Sequence, residues 1–583
     1  MDNIVVEICG SAGEGTISAG EILNRHMSSE GYDIMSFDTY PPEIRGFGKC
    51  VAHNRISTSN VMTPGKNADV LIALNDVHSI SQLPLLKEAG VLIYDSQPIS
   101  YHEEDKSIAG WIEPGIISYG IPMVRLAVKA AGNSRGKNMV ALGAFSALFG
   151  IDDKLFISSI KKRYSGKKKI VIESNVSSFQ EGFDWTLKNI TKIDSYKINP
   201  AQKKANEQLI INGNQAVAEA AFQNGLHLYA GYPITPATKI MEILSSKLPE
   251  NGGVFVQTED EISAIAMVLG AGFAGKRAMT ATSGPGFCLM SEFTGLSVMA
   301  EIPGVIINCQ RGGPSTGLPT KTEQGDLLIA LYGGNGDSPR VVIAPSNTEE
   351  CYQATVKALH IAEKYQTLVV VLLDFFLSNS VKNIDTPEFD EKGDHSSNIA
   401  PDLSDLSEYL RYKITDSGLS PRTLPGTPLG MYTSTGLEHG ENGKPKTDPD
   451  THMEMTAKRF KKHQSILSEA PLPVLSGYED NIDVGIISWG SSAGAAHEAV
   501  SLANEKGFRT AAFSSLFISP FPGEALKAFS EKCTKLIIAE VNYSGQFCDY
   551  ICKYLTKPYE KLTTVNCIPM TSEEIVNRIT MAL

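Results

Sequence analysis

Gly231–Tyr232–Pro233–Ile234–Thr235–Pro236 separates an apolar helical run at 216–222 from an amphipathic one at 239–248. Each proline fixes its own φ near about −65° and steers the residue before it out of the α region. Tyr232 and Thr235 are therefore held in a stiff, extended loop. As residues alone, this is a rigid connector with Thr235 as N-cap of the following helix. Around it, apolar runs at 253–257, 304–308, 340–343 and 368–373 alternate with helical patterns. That alternation predicts an α/β block with a parallel sheet over 207–385.

The same alternation appears upstream, with strands at 4–9, 33–37, 68–73 and 90–94, and predicts a doubly wound domain over 1–192. A polar segment at 193–206 reads as a linker. Residues 386–475, rich in Asp, Ser, Pro and Gly, read as a long interdomain arm, and 476–583 as a third α/β domain. A chain of 583 residues is long enough for three cores.

Composition narrows the function. A net charge of −13 argues against nucleic acid, whose phosphates need an excess of Lys and Arg. The basic run at 161–169 reads as a solvated face. No apolar run reaches membrane-spanning length, and the N-terminus enters a strand without a basic leader, so no membrane partner is expected and the chain reads as cytoplasmic. The nine cysteines form no Cys-x-x-Cys pair, so no metal or iron–sulfur site is expected in this chain.

Several strand-to-helix junctions could carry chemistry. Gly10–Ser11–Ala12–Gly13–Glu14–Gly15 follows the first strand; its amides could hold a phosphate, or the turn could serve only to pack helix on strand. Thr258–Glu259–Asp260–Glu261 has the Thr-x-x-Glu spacing of a capping box. Ala281–Thr282–Ser283–Gly284–Pro285–Gly286–Phe287 is a turn that lets a ligand come close to backbone. Gln310–Arg311–Gly312–Gly313–Pro314–Ser315–Thr316–Gly317 follows another strand, where ligands of parallel sheets collect. Arginine's planar fork suits a carboxylate held by two hydrogen bonds, or a structural ion pair. Gly490–Ser491–Ser492 and Glu540–Val541–Asn542 read as packing features, and His439 as hydrogen-bonded structure.

In this order, these motifs resemble the α subunit of 2-oxoacid:ferredoxin oxidoreductases. The likeness extends through Gly213–Asn214–Gln215–Ala216, Ala237–Thr238 and Leu318–Pro319–Thr320–Lys321–Thr322–Glu323–Gln324. The N-terminal glycine turn and Pro41–Pro42–Glu43–Ile44–Arg45–Gly46 resemble the family's γ subunit, here fused ahead of α. The resemblance implies a γ-type Rossmann-like domain, a pyrimidine-type thiamine diphosphate domain and a C-terminal transketolase-C-like domain. It assigns Glu261 to the aminopyrimidine of thiamine diphosphate, as the catalytic carboxylate. It assigns Thr235, Tyr232 and Arg311 to the substrate. Pro233, Ile234, Ser283 and Gly284 would line the thiamine cofactor, and Gly10, Gly13 and Gly15 would contact coenzyme A.

The family's reaction converts a 2-oxoacid and coenzyme A to acyl-coenzyme A and carbon dioxide, reducing ferredoxin. No Gly-Asp-Gly motif with a downstream Asn pair is present, so a β subunit is expected to bring the Mg²⁺–diphosphate site and a 4Fe-4S cluster. The expected assembly is a dimer of αβ pairs. The γ–α fusion points to 2-oxoglutarate; pyruvate, branched-chain oxoacids and indolepyruvate stay open, as does a non-catalytic coenzyme A-binding or assembly protein.

Overall fold

The computed structural model describes residues 1–39, 48–97, 107–386 and 409–583. The Pro41–Gly46 motif and the start of the expected arm lie outside them. The chain divides into two compact units, Met1–Ile211 with Ser380–Thr386, and Asn212–Asn379 with Pro387–Leu583.

The first unit is built on an eight-stranded sheet. Asn3–Ser11, Ala68–Ala73, Leu86–Asp95 and Ile117–Ile121 run parallel, as the alternation predicts. The other half is antiparallel: Lys49–Ser57 lies between Asn3–Ser11 and Asp33–Thr39, and Val381–Asp385 adds beyond them. Lys49–Ser57 escaped the sequence reading because His53, Asn54 and Arg55 break its apolar run. The connection from Thr39 is also too short for a parallel crossover. Residues 381–385, placed by sequence at the end of the second block, belong to this sheet. Its core packs strands such as Val6, Ile8 and Val70 against the helices bearing Met139, Phe145 and Phe179.

The second unit holds two sheets. One has seven strands, with Leu228–Gly231, Val254–Gln257, Ala278–Thr282, Gly304–Gln310 and Leu368–Asp374 parallel to their neighbours. The other has five, centred on Ile482–Ser488. Phe517–Ser519, which follows a strand of the smaller sheet, pairs antiparallel at the edge of the larger one. One apolar cluster also runs through both, from Ile306 and Val370 to Trp489 and Phe547. The C-terminal block therefore shares its core with the block before it.

Within the expected arm, residues 409–448 carry no helix or strand, but Pro449–Glu469 is a helix. Asp448 caps it, accepting from Thr451 N–H at 2.9 Å, and Pro449 begins it. Its buried face holds Met455, Lys458, Arg459, Lys462 and Ile466. Cations replace apolar residues at helical spacing, so hydropathy conceals the amphipathic pattern. Lys458 and Lys462 both pair with Glu301, which is 1% exposed. Burial alone would raise the Glu301 carboxyl, but Lys462, Lys458 and Arg411 hold it well below the ordinary glutamate range.

Candidate functional site

The parallel strands of the larger sheet end at one edge, and the loops leaving them carry Tyr232, Thr235, Glu261, Ser283, Gly284 and Arg311. Such an edge is where open α/β sheets bind ligands.

The Gly231–Pro236 loop is anchored from below. Fully buried Asn214, near the start of the helix Gly213–Gln223, donates to Pro236 O at 2.8 Å. The Thr235–Pro236 peptide is cis. The next helix, Thr238–Lys247, has Ala237 at its N-cap and no capping side chain, so Thr235 does not cap it. Among the described residues the Thr235 hydroxyl makes no hydrogen bond. Its carbonyl instead accepts from Arg311 Nη1 at 2.7 Å, tying the two loops together.

Arg311 follows directly on the strand Gly304–Gln310 and is 7% exposed. With Nη1 engaged, buried Nε has no partner. A guanidinium offers paired N–H groups along each edge, so the Nε edge stays open for a carboxylate. Burial pulls the Arg311 guanidinium below its ordinary value, an effect that the charge of Asp326 opposes. Ser283 Oγ and Asn308 Oδ1 are also buried without partners, at the ends of the neighbouring strands.

Glu261 opens the helix Glu261–Phe273, but the capping box expected at Thr258 is absent. Asp260 is the N-cap, its carboxylate accepting from Ser263 N–H at 2.7 Å. Thr258 Oγ1 donates to Asp260 O at 2.8 Å. The helix starts two residues later than a Thr258 cap requires, so Asp260 serves the Ser263 amide and Glu261 stands at the first helical position instead of the third. Glu261 is thus free of capping. It is 6% exposed, and among the described residues no hydrogen bond or ion pair engages its carboxylate. Gly286 makes room for it: a Cβ there would lie 2.3 Å from Glu261 Oε1 and 2.3 Å from Thr282 Oγ1. A buried carboxylate without a partner is costly, so it suits a donor supplied from outside this chain, such as the ring nitrogen of an aminopyrimidine.

The loop from Arg311 to Asp326 is strapped to the smaller sheet. Gln324 donates from Nε2 to Trp489 O at 2.9 Å and accepts from Val541 N–H at 2.9 Å. Ser491 donates to buried Asp374, and Asn542 Nδ2 donates to Gln324 O at 3.2 Å. Gly490–Ser491 and Val541–Asn542 therefore act as packing, as read from sequence. His439 is buried, bonded to Leu437 O at 3.0 Å and packed on Tyr412. Asp326 and Asn308 are site neighbours that the sequence reading missed, Asn308 because it sits inside an apolar run where nothing marks a polar contact; Gln324 was read only as part of the family likeness, with no role of its own.

In the first unit, Gly10, Gly13 and Gly15 form the turn between the strand Asn3–Ser11 and the helix Thr16–Ser29. The turn's own Glu14 accepts from Ser11 N–H at 2.7 Å and pairs with Lys137 at 2.5 Å. An anionic side chain already uses one amide that a phosphate would take. Among the described residues no group of three or more His, Cys, Asp or Glu could hold a metal, and no helix is long and apolar enough to cross a membrane. All nine cysteines are free.

Comparison with known proteins gives this edge a family. The profile described as "Pyruvate flavodoxin/ferredoxin oxidoreductase, thiamine diP-bdg" matches residues 219–458. "Pyruvate ferredoxin/flavodoxin oxidoreductase" matches 5–185, and "Pyruvate:ferredoxin oxidoreductase core domain II" matches 482–571. The chain is 32% identical to 2-oxoglutarate oxidoreductase subunit KorA of Mycobacterium tuberculosis, over 100% of this chain and 92% of that one. It is 29% identical to subunit alpha of 2-oxoacid:ferredoxin oxidoreductase 2 of Aeropyrum pernix, over 99% and 97%. Among solved structures it is similar to the 2-oxoglutarate:ferredoxin oxidoreductase of Magnetococcus marinus with 2-oxoglutarate, coenzyme A and succinyl-CoA bound. There the TM-score is 0.91 at 36% identity, covering 100% of both chains. The chain belongs to the 2-oxoacid:ferredoxin oxidoreductase family, as an α subunit.

Proposed function

We propose that this chain is the α subunit of a 2-oxoglutarate:ferredoxin oxidoreductase, forming succinyl-coenzyme A and carbon dioxide and reducing ferredoxin. The observation that carries the reading is Arg311, buried, tied to Thr235 O and left with an open Nε edge, on the same strand-end rim as unpartnered Glu261. Arg311 binds the oxoacid carboxylate, and the Thr235 hydroxyl adds a hydrogen bond from the loop that Arg311 anchors. Tyr232 covers the substrate from the outside. Glu261 accepts a hydrogen bond from the aminopyrimidine and stabilises its imino form. Pro233, Ile234, Ser283 and Gly284 line the cofactor. Thiamine diphosphate, when bound, supplies the carbon nucleophile and the electron sink for loss of carbon dioxide.

Around the site, Tyr232 and Leu318 on loops and Ile262 and Leu289 on the helices that follow them are exposed. We assign this surface to a β subunit bringing Mg²⁺, the diphosphate site and a 4Fe-4S cluster, in a cytoplasmic dimer of αβ pairs. Residues 1–192 form the γ-type domain, whose turn at Gly10, Gly13 and Gly15 meets coenzyme A. Glu14 must then yield Ser11 N–H to the ligand.

The test is Arg311→Ala in the complex. A charge-assisted hydrogen bond is worth about 1.5–3 kcal/mol, so KM for 2-oxoglutarate should rise roughly ten- to a hundredfold. Arg311→Lys should recover only part of this, because an ammonium cannot make the planar fork. Unchanged KM in the alanine variant would make Arg311 a structural residue.

A further inference from the structure

We propose that Asp326 is a positioning residue for substrate charge: it takes up a proton when an oxoacid carboxylate settles on Arg311 and releases it once that carboxylate has left as carbon dioxide. The inference rests on Arg311 being the carboxylate site.

Asp326 stands at the N-cap of the helix Leu327–Tyr332, yet its side chain caps nothing. Its backbone N–H donates to Gln310 Oε1 at 3.0 Å, fixing it beside the end of the Arg311 strand. Among the described residues its carboxyl has a single hydrogen bond, from Asn308 Nδ2 at 3.0 Å. It lies close against Gly284, where a Cβ would come within 2.9 and 3.0 Å of its two oxygens. It feels the Arg311 charge, but no ion pair within 4.0 Å joins them, so Arg311 stays available. Glu323 on the same loop and Cys288 on the helix Gly284–Leu289 also feel its charge.

Burial already pushes the Asp326 carboxyl up from the ordinary aspartate value, against the Asn308 hydrogen bond and the Arg311 charge. A substrate carboxylate on Arg311 adds like-charge repulsion at Asp326, and two anions close together in a confined site favour protonation of one. The proton comes from solvent as the oxoacid binds. When the carbon–carbon bond breaks, its electron pair stays with the acyl fragment and carbon dioxide departs neutral. The anion on Arg311 is gone, and Asp326 returns its proton to solvent. By linkage, the oxoacid binds less well wherever Asp326 is ionised.

The experiment uses the complex of this chain with its partner subunit. Binding of N-oxalylglycine, a non-decarboxylated dicarboxylate isostere, is measured calorimetrically in buffers of different ionisation enthalpy, and kcat/KM for 2-oxoglutarate is followed against pH. The wild-type complex should take up as much as one proton, and kcat/KM should fall about tenfold per pH unit above the Asp326 titration. Asp326→Asn keeps the shape and the Asn308 contact; it should abolish the uptake, flatten that limb and lower KM at its alkaline end. Glu323→Gln should keep the limb. Zero proton uptake by the wild type at every pH overturns the proposal without any variant. So does an Asp326→Asn complex that keeps the limb while Arg311→Ala still weakens binding. If Arg311→Ala binds normally, the carboxylate site itself is wrong, and the inference falls with it.

Discussion

Glu261 and Gly286 together illustrate how a site is held ready by what surrounds it. The carboxylate is buried, excused from capping by Asp260, and placed in the space that a Gly286 side chain would fill. Glu261→Gln keeps the volume but loses the charge that stabilises an imino tautomer. Turnover in the complex should fall by orders of magnitude, with the melting temperature close to wild type. A lowered melting temperature with near-normal turnover would assign Glu261 to folding instead. Gly286→Ala tests the neighbouring contact from the other side. A methyl within 2.3 Å of two oxygens must displace Glu261 or Thr282, at a cost of about 1–3 kcal/mol. Denaturant unfolding should register that loss and activity should fall with it; a silent alanine variant would mean the contact is slack. The placement of Thr235, Glu261 and Arg311 at strand ends was legible because each stands in a contiguous motif that follows an apolar run. Asp326 was not, since an acid before an apolar helix reads as a routine N-cap, and only the fold reveals that it caps nothing.

The secondary-structure elements were legible where their buried faces are apolar. The strands Ala68–Ala73 and Leu368–Asp374 are buried throughout, and hydropathy finds them at once. The helix Pro449–Glu469 fails that test because Lys458, Arg459 and Lys462 occupy its inner face. Arg459 pairs there with Glu438, and what lets the two lysines be there is Glu301, which makes a prediction. Glu301→Gln leaves two buried ammonium groups without their counter-charge, which should cost about 3–5 kcal/mol in denaturant unfolding. Because the Glu301 carboxyl is held below its unfolded value of 4.5, the unfolded state binds its proton first. The stabilisation is therefore complete above that pH and is lost as pH falls below it. A variant as stable as wild type at neutral pH would mean that the lysines do not depend on Glu301.

At the scale of the molecule, the second unit joins two sheets through a shared core, and the Gln324 contacts fasten the Arg311 loop to the smaller one. The smaller sheet thus serves the site by bracing it. The sequence reading separated these sheets into two domains because apolar periodicity is local and carries no record of which cores merge. The chain also has nine free cysteines and, among its described residues, no cluster of metal ligands. It should be colourless when purified alone, with iron and sulfide appearing only in a co-purified partner. The central claim is that this chain contributes the substrate arginine and the pyrimidine carboxylate to an enzyme completed by another subunit. Ferredoxin reduction driven by 2-oxoglutarate and coenzyme A, assayed for the chain alone and for the chain co-expressed with its β subunit, tests it most directly. Reduction by the complex only, dependent on both substrates and lost in Glu261→Gln, is the predicted result; reduction by the isolated chain, or a complex indifferent to 2-oxoglutarate, would contradict it.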